Sequence, residues 1–228
     1  TPVKNLEDEY AGNVFSDIPN PMGKLYRNKD NQDKKSRLVG NLYAELHLFD
    51  GLMFKTSFGV DYNNLYRRSF SPKYDELNAS EKLSSLSNRN AWNFNWVFTN
   101  TLTYNKTFGD HTINAVAVYE AEKYTTQTAQ IVSTGTIGDD KIRSTKGKTI
   151  DQDNTYNNKY AYTFASWLLR AQYSYKGRYM VSASIRGDGS SRFAPNTRWG
   201  YFPAASVGWR VSDESFLRDV KWIDDLKL

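Results

Sequence analysis

The stretch Arg37-Leu38-Val39-Gly40-Asn41-Leu42-Tyr43-Ala44-Glu45-Leu46-His47-Leu48 decides the reading of this chain. Leu38, Gly40, Leu42, Ala44, Leu46 and Leu48 fall on one parity, and Arg37, Asn41, Tyr43, Glu45 and His47 on the other. Successive strand residues point to opposite sides, so this segment is a β-strand with one dry face and one wet face. Its length suits a membrane-crossing strand, which needs about 9 to 11 residues.

Working outward, the same alternation recurs in seven stretches, and no charged residue falls on any of the seven dry registers. After Phe49-Asp50-Gly51, where an Asp-Gly pair suits a tight turn, a second strand places Leu52, Phe54, Thr56, Phe58, Val60 and Tyr62 opposite Lys55, Ser57, Gly59 and Asp61. The third strand carries Trp92, Phe94, Trp96, Phe98, Leu102 and Tyr104, and the fourth Ile113, Ala115, Ala117, Tyr119 and Ala121 against Asn114, Glu120 and Glu122. The fifth carries Ala165, Trp167, Leu169, Ala171, Tyr173 and Tyr175 against Arg170 and Gln172. The sixth sets Tyr179, Val181, Ala183 and Ile185 against Ser182, Ser184 and Arg186, and the seventh Tyr201, Ala205, Val207, Trp209 and Val211 against Ser206, Gly208 and Arg210.

Connections alternate between short turns at Asp50-Gly51, Gly109-Asp110 and Lys176-Gly177 and long polar segments from about Asn64, Thr125 and Asp188. Outer-membrane barrels share that asymmetry, with short periplasmic turns and long extracellular loops. Residues 1–35, rich in Asn, Asp, Lys and Pro, read as an extracellular loop segment, and residues 36–228 as partial barrel. Aromatic residues at the ends of dry registers, among them Tyr62, Trp92, Tyr104, Tyr175, Tyr179 and Trp199, fit interfacial girdles. A soluble β-sandwich also alternates, but its strands average about 5 to 6 residues, shorter than these. The expected class is therefore all-β, an antiparallel up-and-down transmembrane barrel segment.

Composition agrees once its meaning for barrels is clear. Mean hydropathy is -0.69, charged residues make up 24%, and no run approaches the roughly 18 apolar residues of a spanning helix, which excludes such a helix but not a wall whose strands are half polar. The net charge of +5 is scattered without a basic stripe, which argues against nucleic acid. There is no cysteine, and His47 and His111 stand far apart, so no thiolate, metal-ligand or Ser-His-Asp chemistry is spelled out; no enzyme activity and no cofactor are expected. Asp139-Asp140 lacks the spaced ligands of a calcium loop, and Asn78-Ala79-Ser80 and Asn105-Lys106-Thr107 match glycosylation sequons without further support. Asp188-Gly189 reads as a structural turn, and Pro203, lacking an N–H, predicts a strand bulge.

One segment is more specific than the pattern. Ile185-Arg186-Gly187-Asp188-Gly189-Ser190-Ser191-Arg192-Phe193, then Trp199-Gly200-Tyr201-Phe202-Pro203-Ala204-Ala205-Ser206-Val207-Gly208-Trp209-Arg210, then Glu214-Ser215-Phe216-Leu217, resembles the SusC/RagA family of TonB-dependent outer-membrane transporters. Asn20-Pro21-Met22, Gly40–Glu45, Gly51–Lys55 and Gly59–Tyr62 resemble earlier parts of the same barrel in the same order. The resemblance implies about seven strands of a roughly 22-stranded barrel, here an internal fragment without plug or TonB box, in the outer membrane of a Gram-negative bacterium. It implies import of glycans or peptides, a SusD-like surface lipoprotein as partner, and energy from the TonB complex through the missing N-terminal part. The alternatives are a soluble extracellular carbohydrate-binding sandwich and a passive porin or adhesin barrel. Wet-side residues Asn41, Glu45, Asp61, Glu120, Arg170, Arg186 and Arg210 would line the lumen or meet the plug, and Tyr74, Tyr156 and Tyr160 in the loops would stack on sugars or meet the lipoprotein.

Overall fold

A computed structural model describes residues 18–77, 79–135, 149–217 and 224–228. One sheet runs in the order β1 (Gln32–Phe49), β2 (Leu52–Ser71), β5 (Ser85–Phe108), β6 (His111–Thr134), β8 (Tyr156–Tyr175), β9 (Tyr179–Ser190), β10 (Trp199–Trp209), with β7 (Thr149–Ile150) beside β6. Each long strand is paired with the next long strand in sequence, the up-and-down antiparallel order that the alternating hairpins predict. The remaining strands β3 (Tyr74–Glu76) and β4 (Ala79–Glu81) pair with each other, and α1 spans Pro21–Asn28.

The chain divides into two compact units. In the unit made of residues 39–61, 95–124 and 161–228, the registers of β8, β9 and β10 align dry with dry. Trp167, Gly187 and Tyr201 form one row across the sheet, then Leu169, Ile185 and Pro203, then Ala171, Ala183 and Ala205, then Tyr173, Val181 and Val207, then Tyr175, Tyr179 and Trp209. The band is thus apolar between two aromatic rows. From Trp167 to Tyr175 is about 26 Å along the strand at about 3.3 Å per residue, near the height of about 25 Å typical of the apolar belt of a barrel. This face has no protein over it: Leu42 is 79% and Val207 83% exposed.

Two positions depart from expectation here, each for a physical reason. Gly187 and Gly189 lie inside β9, not in a turn. On the dry face they are covered by tryptophans from the flanking strands, so close that a Cβ on Gly187 would fall 2.5 Å from the Trp167 ring and one on Gly189 2.9 Å from the Trp199 ring. Pro203 causes no bulge and pairs in unbroken register with Ile185. Trp209 exchanges both backbone hydrogen bonds with Leu228, on the side of β10 away from β9. Residues of the same parity, Pro203 included, direct their backbone groups to that side, so the missing N–H costs the β9–β10 ladder nothing.

The short turns are as expected, with Gly51, Gly109 and Gly177 at positive φ and Lys176 beside Gly177 also left-handed. Neighbouring turns are also clasped to one another. Lys106 pairs with Asp50 and Lys176 with Asp110 (3.5 Å), while the Asn105 N–H donates to the Gly51 carbonyl (2.8 Å) and the Lys176 N–H to that of Asp110 (2.7 Å). Arg178 continues the series to Glu214 (2.8 Å). The last residue assigned to the seventh dry register, Val211, is buried in a 3-10 turn instead.

The second unit comprises residues up to 38, 62–94 and 125–160. Much of what reads as irregular loop is ordered in it: α1 lies within the stretch assigned to loop, β1 already begins at Gln32, β2 runs on to Ser71, and β6 runs on to Thr134. Asn20 caps α1 by accepting the Met22 N–H (3.0 Å), with Pro21 in the first turn. The buried Glu76 carboxylate accepts the Asn20 N–H (2.6 Å) and pairs with Arg27, whose guanidinium sits 3.9 Å from the Tyr74 ring centre. Phe70 and Leu86 are 3% and 0% exposed, and the Phe70 N–H donates to Asn31 Oδ1 (2.7 Å). Asp33 meets Arg67 through two hydrogen bonds (2.6 and 2.7 Å), and this contact holds the Asp33 carboxyl below the ordinary carboxylate range.

Candidate functional site

Because the dry face is given over to the apolar band, functional groups must come from the opposite face. Across β8–β10 that face reads Ser166, Asp188 and Gly200 in one row, then Leu168, Arg186 and Phe202, then Arg170, Ser184 and Ala204, then Gln172, Ser182 and Ser206. The alternation therefore places Arg170 and Arg186 together on one polar wall. Ser182 and Ser206 hydroxyls meet at 2.7 Å, and Arg186 Nε donates to both Asp188 carboxylate oxygens (2.8 and 2.9 Å). Asn114, Gln172, Ser182, Ser206 and Lys227 line a depression of about 370 Å³.

Of the other wet-side candidates, all but Arg210 lie on the elements assigned to them. Glu45 on β1 is paired with Lys55 on β2 (2.8 Å), and Glu120 on β6 accepts the Thr99 hydroxyl of β5 (3.0 Å). Asn41 Oδ1 lies 3.8 Å from where a Cβ on Gly59 would stand, Asp61 lies on β2, and Arg210 sits at the turn end beside Asp213 and Asp225 (3.9 and 3.6 Å). Arg210 is thus drawn to the rim rather than to the middle of the wall. Arg170 alone of the three wall arginines has no ion-pair partner among the described residues. Of the loop aromatics, Tyr74 supports Arg27, while Tyr156 and Tyr160 both lie on β8. Asn78 and Asp139-Asp140 lie outside the described residues. His111 opens β6, with Nδ1 2.6 Å from the Tyr173 hydroxyl and its ring against Tyr173 and Tyr175.

Two arrangements escape the alternation pattern. Glu214 accepts from the Tyr179 hydroxyl and from Trp209 Nε1 (3.1 Å) while pairing with Arg178. These donors, the Tyr179 hydroxyl foremost, pull its carboxyl below the ordinary range. At the other end of β8, Tyr124 stacks on Tyr162 (4.9 Å between centres), Phe164 meets Tyr162 edge-on (5.5 Å), and the Arg192 guanidinium lies 3.8 Å from the Tyr162 ring centre. Ser190 and Ser191 fix the segment carrying Arg192: the Thr163 N–H donates to Ser191 Oγ (2.8 Å), the Ser191 N–H to the Thr163 carbonyl (3.0 Å), and the Arg192 N–H to Ser190 Oγ (3.3 Å). Even-numbered aromatics on β8, in step with Arg170 and Gln172 and so out of place on a polar register, were the available signal.

No family model matches the chain. Among curated proteins, it is 29% identical over 98% of its length to TonB-dependent receptor P39 of Formosa agariphila, and 28% identical over 99% to TonB-dependent receptor P3 of the same organism. It is 46% identical over 29% of its length to TonB-dependent receptor SusC of Bacteroides thetaiotaomicron. The chain spans about a fifth of the length of the Formosa receptors it matches, at 21% and 22%. In fold it is similar to a chain of the RagAB peptide importer in its open-open state, with a TM-score of 0.78, 21% identity, and coverage of 98% of this chain and 25% of that one.

Proposed function

We propose, from the premise that the chain is a SusC/RagA-type segment of a TonB-dependent receptor barrel, that it forms part of the wall of an outer-membrane importer of glycans or peptides. The supporting observation is the uncovered apolar band bounded by aromatic rows on one face, with a hydrogen-bonding wall on the other. A surface that is bare of protein and free of charge is stable against acyl chains, and a polar inner face is wetted by a lumen or packs on a plug. In this reading residues 36–228 belong to the barrel wall, the N-terminal 35 residues to an extracellular loop, and Asn41, Glu45, Asp61, Glu120, Arg170 and Arg186 to the lumen side. A SusD-like lipoprotein closes the outer mouth, the TonB complex supplies energy, and the Gram-negative outer membrane is the site of action.

The test is uptake by cells expressing the full-length parent protein. Accumulation of a labelled oligosaccharide or oligopeptide that disappears in a TonB-deficient strain is expected; accumulation unchanged by that deficiency marks a passive pore and overturns the active-import reading.

A further inference from the structure

Tyr124, Tyr162 and Phe164 occupy the polar alternation of β6 and β8, the one that elsewhere holds Glu120, Glu122, Arg170 and Gln172. Three rings joined through Tyr162 are more than a wetted wall requires. Phe164 is exposed and Tyr162 half-buried, so the cluster keeps apolar surface open on the polar face. Arg192 sits against Tyr162 with no carboxylate partner among the described residues, whereas Arg178 and Arg186 of the same unit are each paired with an acid. A guanidinium stacked through its face keeps its N–H edge free, and that edge matches a carboxylate by two parallel hydrogen bonds. The Ser190 and Ser191 hydrogen bonds fix the backbone on either side, so the group is held in place before any ligand arrives. Arg170, about 20 Å further along β8 from Phe164 at about 3.3 Å per residue, adds a second cation without an ion-pair partner among the described residues to the same wall.

We propose that Tyr124, Tyr162, Phe164 and Arg192 form a subsite for a carboxylate-bearing substrate. The carboxylate meets the edge of Arg192, and the ring or side chain next to it lies against the aromatic faces. This deepens the import reading by naming a substrate class, and it rests on that reading for the wall being a lumen.

Binding to the full-length transporter purified in detergent tests the subsite without requiring transport, so its failure leaves the import reading standing. The probes are a galacturonate tetramer and its methyl ester, and a glutamate-containing pentapeptide and its glutamine counterpart, measured by calorimetry. In at least one pair the acid binds about tenfold or more tighter than its neutral partner, the loss expected when a charge-assisted hydrogen bond is removed; which pair responds separates sugar from peptide. Arg192→Gln abolishes the preference, and Arg192→Lys, which keeps the charge without the fork, retains part of it while confirming that the protein assembles. Equal binding within both pairs, or a preference that survives Arg192→Gln, overturns the subsite.

Discussion

The two units solve the same problem in opposite ways. In β8–β10 the apolar alternation is bare, with Val207 83% exposed, while in the other unit Phe70 and Leu86, which continue the even-numbered dry sets of β2 and β5, are 3% and 0% exposed. Three of the four buried apolar side chains among the described residues, Phe70, Ala79 and Leu86, belong to that second unit, and only Val211 to the first. One region brings its own cover from chain, with α1 anchored through the Arg27–Glu76 pair. The other leaves that face without cover among the described residues. Alternation thus reports which face is dry, and burial reports who keeps it dry.

Substitutions can break this contrast from either side. The largest effect is expected at the self-covered unit, where Glu76→Gln strips the buried partner from Arg27 and costs about 3–5 kcal/mol. Limited proteolysis and hydrogen exchange would then show α1 opening while the hairpins of the bare unit stay protected; equal loosening of both would erase the distinction between the units. Next, Leu42→Lys in the full-length protein puts a charge on the face proposed to meet lipid, at about 2–4 kcal/mol, read as denaturant unfolding in liposomes, with Asn41→Lys mild. Equal tolerance of the two would reverse the facing. Gly187→Ala sharpens the contrast within the sheet, since the methyl meets Trp167; about 1–3 kcal/mol of overpacking strain is expected, relieved when Trp167→Leu is added.

The smallest effect is a pH dependence. Glu214 titrates below its ordinary value of 4.5 in the folded state because Tyr179, Trp209 and Arg178 favour its carboxylate. Its contribution is therefore complete above pH 4.5 and is lost as pH falls through the lower folded value. Thermal unfolding of the detergent-solubilised transporter in acid should show this loss in the wild type and a flatter profile in Glu214→Gln.

The fold was largely legible because the long strands follow a strict rule: on the bare face every second residue is uncharged. That rule lapses where strands have water or their own loops on both sides. Asn64–Ser71 and Thr125–Thr134 continue β2 and β6 without the hydropathy signature, so they read as loop. The start of α1 had a readable sign in Asn20-Pro21, a capping residue followed by a proline suited to the first helical turn, but the Gly and Lys after it weakened the pattern. Parity puts Arg170 and Arg186 on one face of the sheet, and the register of β8 and β9 has them there. The approach of Arg192 to Tyr162 was hidden because it depends on sheet order and on a loop turning back over β8. Glu214 was hidden for the same reason, being tied to Tyr179 and Arg178 from beyond the end of β10.

The clasps between adjacent turns have a consequence for how such walls change over evolutionary time. Each hairpin presents its neighbour with a matched charge and a backbone acceptor at one rim, so a hairpin shifted by two residues, or a foreign one spliced in, arrives with its fastener out of line. At the opposite ends of the strands the contacts, such as Asp33 with Arg67 and Gln127 with Asn157, do not join one short turn to the next, and insertions there leave the fastened rim untouched. Variation in length should accumulate on one side of the wall only, leaving the other as a fixed hem.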